Sequence, residues 1–175
     1  MRWVVLLRAV NLGARNKVPM PKLRSLLEEA GYGNVQTYIA SGNILLDGPR
    51  SGTAVARELE RIVAGEFGVE TTAIVRKPAE LAALVDGHPF GRDTSRSHVV
   101  FLVRRPTAAA AERLATADHS PDRGVLAGKD VYVQYGGGVQ NARLSAARLE
   151  RLLGVAGTNR NWRTVTALAE LAARA

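Results

Sequence analysis

Short apolar runs alternate with amphipathic stripes along the first 78 residues, and their order limits the folds open to this half. Trp3 to Val10 is apolar and rich in β-branched residues, which predicts a buried strand. A helix is expected to open at Pro19-Met20-Pro21 and to end at Gly31. The other predicted elements are a hairpin of 35–39 with 44–46, a helix with apolar positions Val55, Leu59, Ile62 and Val63, and a strand at 71–75. The order β-α-β-β-α-β is that of a ferredoxin-like unit.

The rest of the chain predicts nearly the same order of elements. Its strongest strand is His98 to Val103, which Arg104-Arg105-Pro106 closes. The other expected elements are helices at 78–85 and 107–117, a hairpin of 125–126 with 131–133, and helices at 145–153 and 162–173. We therefore predict an α+β protein with two tandem ferredoxin-like (βαββαβ-type) halves, 1–78 and 79–175, in one compact unit. The second half is expected to end in helices, and duplication is a hypothesis from this pattern alone.

Residue types that hold metals or cofactors are sparse in the sequence. The chain has no cysteine, which excludes disulfides, a thiolate nucleophile and cysteine-ligated zinc. His88, His98 and His119 form no pair at i, i+4 and have no group of carboxylates beside them. We therefore predict neither a metal nor a cofactor. No nucleophile-elbow pattern occurs, although a linear sequence leaves a Ser-His-Asp triad open.

Charge and hydropathy predict a cytoplasmic protein without a membrane partner. No run of 18 apolar residues occurs, and Arg8 breaks the apolar N-terminus too early for a signal peptide. The formal net charge is +8, which permits partners that carry phosphate. The charge is spread evenly, however, because 11 basic and 7 acidic residues precede Pro78 and 13 and 9 follow it. An arginine-rich composition on solvated faces explains it equally well, and no oligomeric state is predicted.

A first group of polar residues is expected at one end of the N-terminal half, where the first strand ends and the hairpin turns. Its members are Arg8, Asn11, Lys17, Tyr38, Ser41, Gly42 and Asn43. If loop and turn are neighbours, their charged, amide and hydroxyl groups suit an anion such as phosphate or carboxylate. The alternative is structural, because asparagines are common in turns and Arg8 could pair with an acidic residue of the next helix.

A second group of polar residues opens the last predicted helix. Its members are Arg160, Asn161 and Trp162. The start of a helix favours anions through its unpaired N–H groups and its positive dipole end, and an indole can stack on a base. The alternative is again structural, with Thr158 or Asn161 as the helix cap and Trp162 in the core.

Four segments of the sequence resemble a known family. They are Arg8-Ala9-Val10-Asn11-Leu12-Gly13, Lys17-Val18-Pro19-Met20, Tyr38-Ile39-Ala40-Ser41-Gly42-Asn43 and Thr158-Asn159-Arg160-Asn161-Trp162-Arg163-Thr164-Val165. They are similar to the bacterial domain of unknown function 1697 family, and the resemblance runs from Leu6 through Leu168. It implies a bacterial α+β protein of about this length and no particular activity. The chain departs from the family at Ala142-Arg143, where members usually have Ser-Lys, and at Asn159, where threonine is commoner.

Three classes of function follow from these residues. The preferred hypothesis is a binding module for a phosphorylated or nucleotide-like anionic ligand, with RNA among the candidates. Strand aromatics argue against RNA, since the first half offers only Tyr38. The alternatives are an enzyme acting on a small anionic substrate, with Tyr38 or Ser41 near the reaction, and a protein-interaction module. The ligand hypotheses require that polar residues distant in sequence share one cavity.

Overall fold

A computed structural model describes residues 1–174 of the chain. They form an α+β protein, as predicted, with two four-stranded antiparallel sheets and six α-helices. The chain divides into two units, one formed by Met1–Ala83 with the residues from Ala167 onward and the other by Leu84–Thr166. Within residues 1–174, no helix has both the length and the apolar character needed to span a bilayer.

The first sheet lies in the first unit, and all its strand pairs are antiparallel. The elements are β1 (Arg2–Leu7), α1 (Met20–Glu29), β2 (Gly33–Tyr38), β3 (Asn43–Asp47), α2 (Gly52–Phe67), β4 (Ala73–Arg76) and α3 (Pro78–Asp86). The strand order is β2-β3-β1-β4. Helix α2 begins after Ser51, whose hydroxyl accepts from the Ala54 amide at 3.2 Å, and ends at Gly68 in the left-handed conformation.

The central strand β1 is buried on both faces of its sheet. Val5 and Leu7 lie in the hydrophobic core with residues of α1 and α2 such as Leu27. Side chains alternate along a strand, so Val4 and Leu6 lie on the opposite face, and both are also fully buried. Burial on two faces explains why this segment is a continuous apolar run in the sequence.

The first strand is shorter than the apolar run that predicted it. β1 ends at Leu7, whereas the run continues to Val10. Ala9 and Asn11 have φ values of 57° and 53°, which lie outside the extended region that a strand requires. The chain therefore leaves the sheet at Arg8 and forms a loop that reaches to the start of α1.

The second sheet lies in the second unit, and its pairs are antiparallel too. The elements are β5 (Ser97–Leu102), α4 (Ala108–Thr116), β6 (Arg123–Ala127), β7 (Asp130–Gln134), α5 (Ala146–Leu153), β8 (Gly157–Asn161) and α6 (Trp162–Ala173), with a 3-10 turn at Val139–Asn141. The strand order is β6-β7-β5-β8. Val100 and Leu102 of β5 lie in a core with Leu114 of α4 and Leu149 of α5.

Strand β8 corrects the prediction that the second half has a helix in place of its last strand. The segment pairs with β5, and Asn159 lies opposite Val100 while Thr158 lies opposite Phe101. Its sequence, Gly-Thr-Asn-Arg-Asn, contains no apolar residue and so gives no strand signal. Pairing with the apolar β5 makes this segment a strand, and Thr158 becomes buried there.

The two sheets use equivalent registers around their central strands. In each sheet a buried arginine of the last strand and a buried polar residue of the third strand lie opposite the central strand. The equivalent pairs are Val4–Arg76 with Val99–Arg160, and Leu6–Asn43 with Phe101–Asp130. The two sheets thus agree in register as well as in strand order.

Candidate functional site

Asn11 holds the loop after β1 against the turn between β2 and β3. Its Nδ2 donates to the Ala40 carbonyl at 2.7 Å and to the Val18 carbonyl at 2.9 Å. Its Oδ1 accepts from the Val18 amide at 2.8 Å. The predicted neighbourhood of loop and turn therefore exists, and the Asn11 side chain is committed to maintaining it.

Ser41, Gly42 and Asn43 shape the turn itself. Asn43 is fully buried, and its Nδ2 donates to the Tyr38 carbonyl and to Ser41 Oγ, each at 2.9 Å. Gly42 has a φ of 86°, and a Cβ there would lie 2.7 Å from a methyl of Val10. The positive φ and the lack of space for a Cβ both select glycine at this position. The hydrogen bonds and the glycine conformation of these three residues thus maintain the turn.

The cations of the first group differ in exposure. Lys17 is exposed and lies in the loop, whereas Arg8 is half-buried and donates its backbone N–H to the Thr72 carbonyl at 3.0 Å. Tyr38, the last residue of β2, is also half-buried. The first group thus lies around the loop after β1 and the β2–β3 turn. The side chains of Asn11 and Asn43 form hydrogen bonds that hold this loop and this turn.

The second group contributes to a cleft at the junction of β8 and α6, which we term the β8–α6 cleft. Its volume is about 540 Å³, and all its lining residues except the tryptophan carry polar side chains: Thr94, Ser95, Ser97, Asn161, Trp162, Arg163 and Thr166. Asn161 also caps α6, since its Oδ1 accepts from the Thr164 amide at 2.9 Å. Trp162 is 8 % exposed and offers only a small part of its ring.

Arg160 is buried, forms hydrogen bonds within β8 and does not line the cleft. It is 6 % exposed, and its guanidinium donates to Thr158 Oγ1 at 2.7 Å and to the Asn159 carbonyl at 2.9 Å. Burial lowers the pKa of Arg160 to about 10, which leaves it charged at neutral pH. The exposed guanidinium at the cleft is that of Arg163.

A histidine and a serine form a close pair at the same cleft. His88 Nε2 lies 2.8 Å from Oγ of Ser97. The His88 ring is tilted against Trp162 with 4.4 Å between centroids and meets the edge of Phe90 at 5.6 Å. Burial lowers the pKa of His88, so the ring is neutral at pH 7. A neutral imidazole beside a hydroxyl can accept its proton.

The model of the family described as "Protein of unknown function (DUF1697)" matches residues 1–132. The chain belongs to the DUF1697 family. The resemblance predicted from the sequence is thereby confirmed. The matched region includes the loop after β1, the β2–β3 turn, His88 and Ser97, and it ends before β8.

A solved structure extends the likeness of this DUF1697 protein to its whole fold. The conserved bacterial protein SP0830 from Streptococcus pneumoniae is similar with a TM-score of 0.75 and 20 % sequence identity. The alignment covers 98 % of each chain. At this identity the likeness shows a common fold. A comparison with curated proteins finds no match.

Arg143, which stands with Ala142 where the family resemblance predicts Ser-Lys, is held through both its side chain and its backbone. The Arg143 guanidinium donates to the Ser120 carbonyl at 2.8 Å, and its backbone N–H donates to Asp122 at 2.6 Å. Asp122, which is 4 % exposed, also accepts from the amides of Gly136 and Leu144. Arg143 thus helps to fix the segment that leads into α5.

Sequence reasoning missed the pairing of His88 with Ser97 in this DUF1697 protein. The two residues are nine positions apart, one in a Pro-containing turn and one at the start of β5. Their spacing matches neither a histidine pair at i, i+4 nor a nucleophile elbow. The available signal was weak, namely a histidine in an apolar turn that precedes a strand beginning with serine.

Proposed function

We propose that this DUF1697 protein binds a small phosphorylated or nucleotide-like anion in the β8–α6 cleft. The observation that carries the proposal is the lining, in which hydroxyl, amide and guanidinium groups surround the start of a 12-residue helix. A helix start favours anions because its first N–H groups lack intrahelical partners and its dipole end is positive. The cleft volume of about 540 Å³ is in the range of small-molecule sites.

Arg163 is the residue that we expect to meet the anion. It lines the cleft and is exposed, whereas Arg160 is buried and bonded to Thr158. A guanidinium can bind phosphate or carboxylate through two parallel hydrogen bonds. The exposed part of Trp162 lies in the same lining and can contact a base or sugar.

A small ligand is favoured over RNA by the burial of the sheets. Sheets that read RNA stack bases on exposed aromatic side chains of their central strands. Val4 and Leu6 of β1 are fully buried, and so are Val99 and Phe101 of β5. Neither β1 nor β5 therefore offers an open face for stacking, and we expect no binding of bases on these two strands.

We propose further that each half is a ferredoxin-like unit. The strand orders β2-β3-β1-β4 and β6-β7-β5-β8 support this assignment, because the first strand of each half lies between its third and its last strand. The antiparallel pairing throughout both sheets supports it as well. In this assignment β8 is the sixth element of the second unit.

Substitution of Arg163 tests the anion site. Adenosine monophosphate and inorganic phosphate are expected to raise the melting temperature of the wild-type protein, because a ligand that binds only the folded state stabilises it. Loss of a bidentate guanidinium contact should weaken binding by about 1.5 to 3 kcal/mol, or roughly tenfold to a hundredfold in Kd. The Arg163→Gln variant should therefore need far more ligand for the same shift in a thermal titration.

Arg151→Gln is the matched control for this experiment. Arg151 is exposed on α5 in the same unit, so its substitution removes the same charge away from the cleft. A short RNA oligonucleotide belongs in the panel at about 50 mM salt, where non-specific phosphate binding is strong. A flat response of the wild type, or equal losses in the two variants, contradicts the proposal.

A further inference from the structure

We propose that Ser97 and His88 act as nucleophile and general base in the hydrolysis of a carboxylic ester bound in the β8–α6 cleft. The inference rests on the proposed function, since the ester is expected to carry the phosphate or carboxylate that the cleft holds. The separation of 2.8 Å between His88 Nε2 and Ser97 Oγ is within the range of about 2.6 to 3.2 Å that such a pair requires.

Ser97 is held by a strand, and His88 is held by packing against aromatic rings. Ser97 is the first residue of β5, where it pairs with Gln134 of β7, and its amide donates to the Thr94 carbonyl at 3.0 Å. The ring of His88 is fixed by the neighbouring rings of Trp162 and Phe90. A nucleophile and a base on rigid supports keep their geometry without reorganisation.

A general base at this position requires the neutral tautomer of His88 that carries its proton on Nδ1. A contact with the Gly91 backbone acts to raise the pKa of His88, against the larger effect of burial. A hydrogen bond that raises a histidine pKa is one that the ring donates, because donation stabilises the protonated form. Nε2 faces Ser97 Oγ at 2.8 Å, so in the neutral tautomer that carries its proton on Nδ1 the lone pair of Nε2 accepts the serine proton.

The position of Ser97 allows attack on a ligand in the cleft. The residue is 2 % exposed and belongs to the cleft lining, so a ligand that fills the cleft lies against it. Arg163 and the start of α6 lie in the same lining and provide positive potential. Such potential stabilises the negative oxygen that develops when a carbonyl is attacked.

The reaction balances with water as the only co-reactant. Ser97 Oγ bonds to the ester carbonyl carbon while its proton passes to His88 Nε2, and the bond to the alcohol oxygen then breaks as that oxygen takes the proton. Water next attacks the acyl-serine, giving its proton to Nε2, and the acyl–Oγ bond breaks. His88 returns the proton to Ser97, and the products are a carboxylic acid and an alcohol.

The competing explanation is that the pair is only a structural hydrogen bond between the 88–91 turn and β5. A serine that only forms a structural hydrogen bond does not react with fluorophosphonates. A serine whose proton passes to the imidazole attacks the phosphorus, and fluoride leaves. We expect one fluorophosphonate per chain, located at Ser97 by peptide mass spectrometry. Ser97→Ala should abolish labelling, and Ser25→Ala, a change at an exposed serine of α1, should leave it intact.

Removal of the base provides a second readout. His88→Ala should lower the rate of p-nitrophenyl acetate hydrolysis by about 10²- to 10⁴-fold, the usual contribution of a general base. Added imidazole should restore part of this rate, since a small base can occupy the space of the missing ring. A structural role alone predicts no rescue, and circular dichroism of each variant checks that it is folded.

The outcomes separate this inference from the proposed function. If the wild type is not labelled at Ser97 while adenosine monophosphate still raises its melting temperature, the nucleophile is overturned and the anion site stands. If Ser97 is labelled but no anion has any thermal effect, the pair stands and the anionic class of ester is overturned. Labelling that persists in Ser97→Ala assigns the reactivity to another residue and overturns the inference.

Discussion

Ile39 holds a left-handed backbone at the tip of the β2–β3 turn. Its φ is 48°, and the residue is 55 % exposed. A β-branched side chain is a clear outlier in this region, and the strain costs on the order of 1–3 kcal/mol. The exposed side chain regains little of this by packing, so the turn holds Ile39 in place through the contacts of its neighbours Ala40 and Asn43.

Replacement of Ile39 by asparagine should stabilise the protein. Asparagine tolerates the left-handed region far better than a β-branched residue, so the variant is expected to gain about 1 kcal/mol of unfolding free energy. Urea unfolding measures the gain. Val139→Asn is the control, because Val139 is 54 % exposed and has no positive φ. Stabilisation of the same size in both variants, or in neither, is inconsistent with relief of backbone strain.

At the scale of elements, a directed chain of hydrogen bonds ties the second sheet to the start of α5. His98 Nδ1 and Asn159 Oδ1 are 2.9 Å apart, so Nδ1 is the donor. Asn159 Nδ2 donates to the hydroxyl of Tyr135 at 2.9 Å, which donates to the Leu144 carbonyl at 3.1 Å. Burial raises the pKa of Tyr135 to about 12, so this hydroxyl remains a donor under ordinary conditions.

Removal of the Tyr135 hydroxyl should lower the unfolding free energy of the protein. Tyr135→Phe leaves the Leu144 carbonyl and the Asn159 amide without this partner, which is expected to cost about 1–3 kcal/mol of unfolding free energy. A double-mutant cycle with Asn159→Ala, followed by urea unfolding, measures the coupling. A coupling energy near zero implies that the chain of bonds contributes nothing cooperative.

Prediction from the sequence worked where an element carries its own periodicity. The helices α2 and α5 were predicted because their apolar residues repeat at the helical period, and β5 was predicted because it is a short continuous apolar run closed by a proline. β8 was not, because its residues are polar and its partner β5 lies more than 50 residues away. The sequence indicated Asn161 and Trp162 because they open a helix. It gave no sign that Ser97 and His88 meet, although they are only nine positions apart.

At the scale of the molecule, the second unit contains two histidines whose pKa is lowered by burial. His88 and His98 both titrate below the ordinary value of about 6.5 in the folded state. His98 forms a hydrogen bond with Asn159 that opposes the effect of burial. The ring of Tyr132 lies 6.4 Å from that of His88. Burial raises the pKa of Tyr132, so its hydroxyl stays protonated and adds no charge at the pH where the histidines titrate.

Acidification should therefore lower the stability of the protein. As pH falls through about 6.5, the unfolded chain binds protons at these histidines before the folded protein does, so unfolding free energy is lost. The loss ends once the folded-state histidines are protonated as well. Urea unfolding at pH 7.5 and 5.5 measures the difference, and His98→Gln should reduce it. Equal stability at the two pH values, or an unchanged difference in the variant, contradicts this assignment.

The amino-acid sequence by itself determined the α+β class, most of the helices and strands, and membership of the DUF1697 family, because these depend on residues close in the chain. Only the tertiary structure decided that 157–161 is a strand and that Asn11 joins the first loop to the turn. It alone also brought Ser97 to His88 beside Trp162. The reason is physical: a polar segment becomes a strand through a partner more than 50 residues away, and the hydroxyl meets the imidazole only when the turn that carries His88 packs against β5.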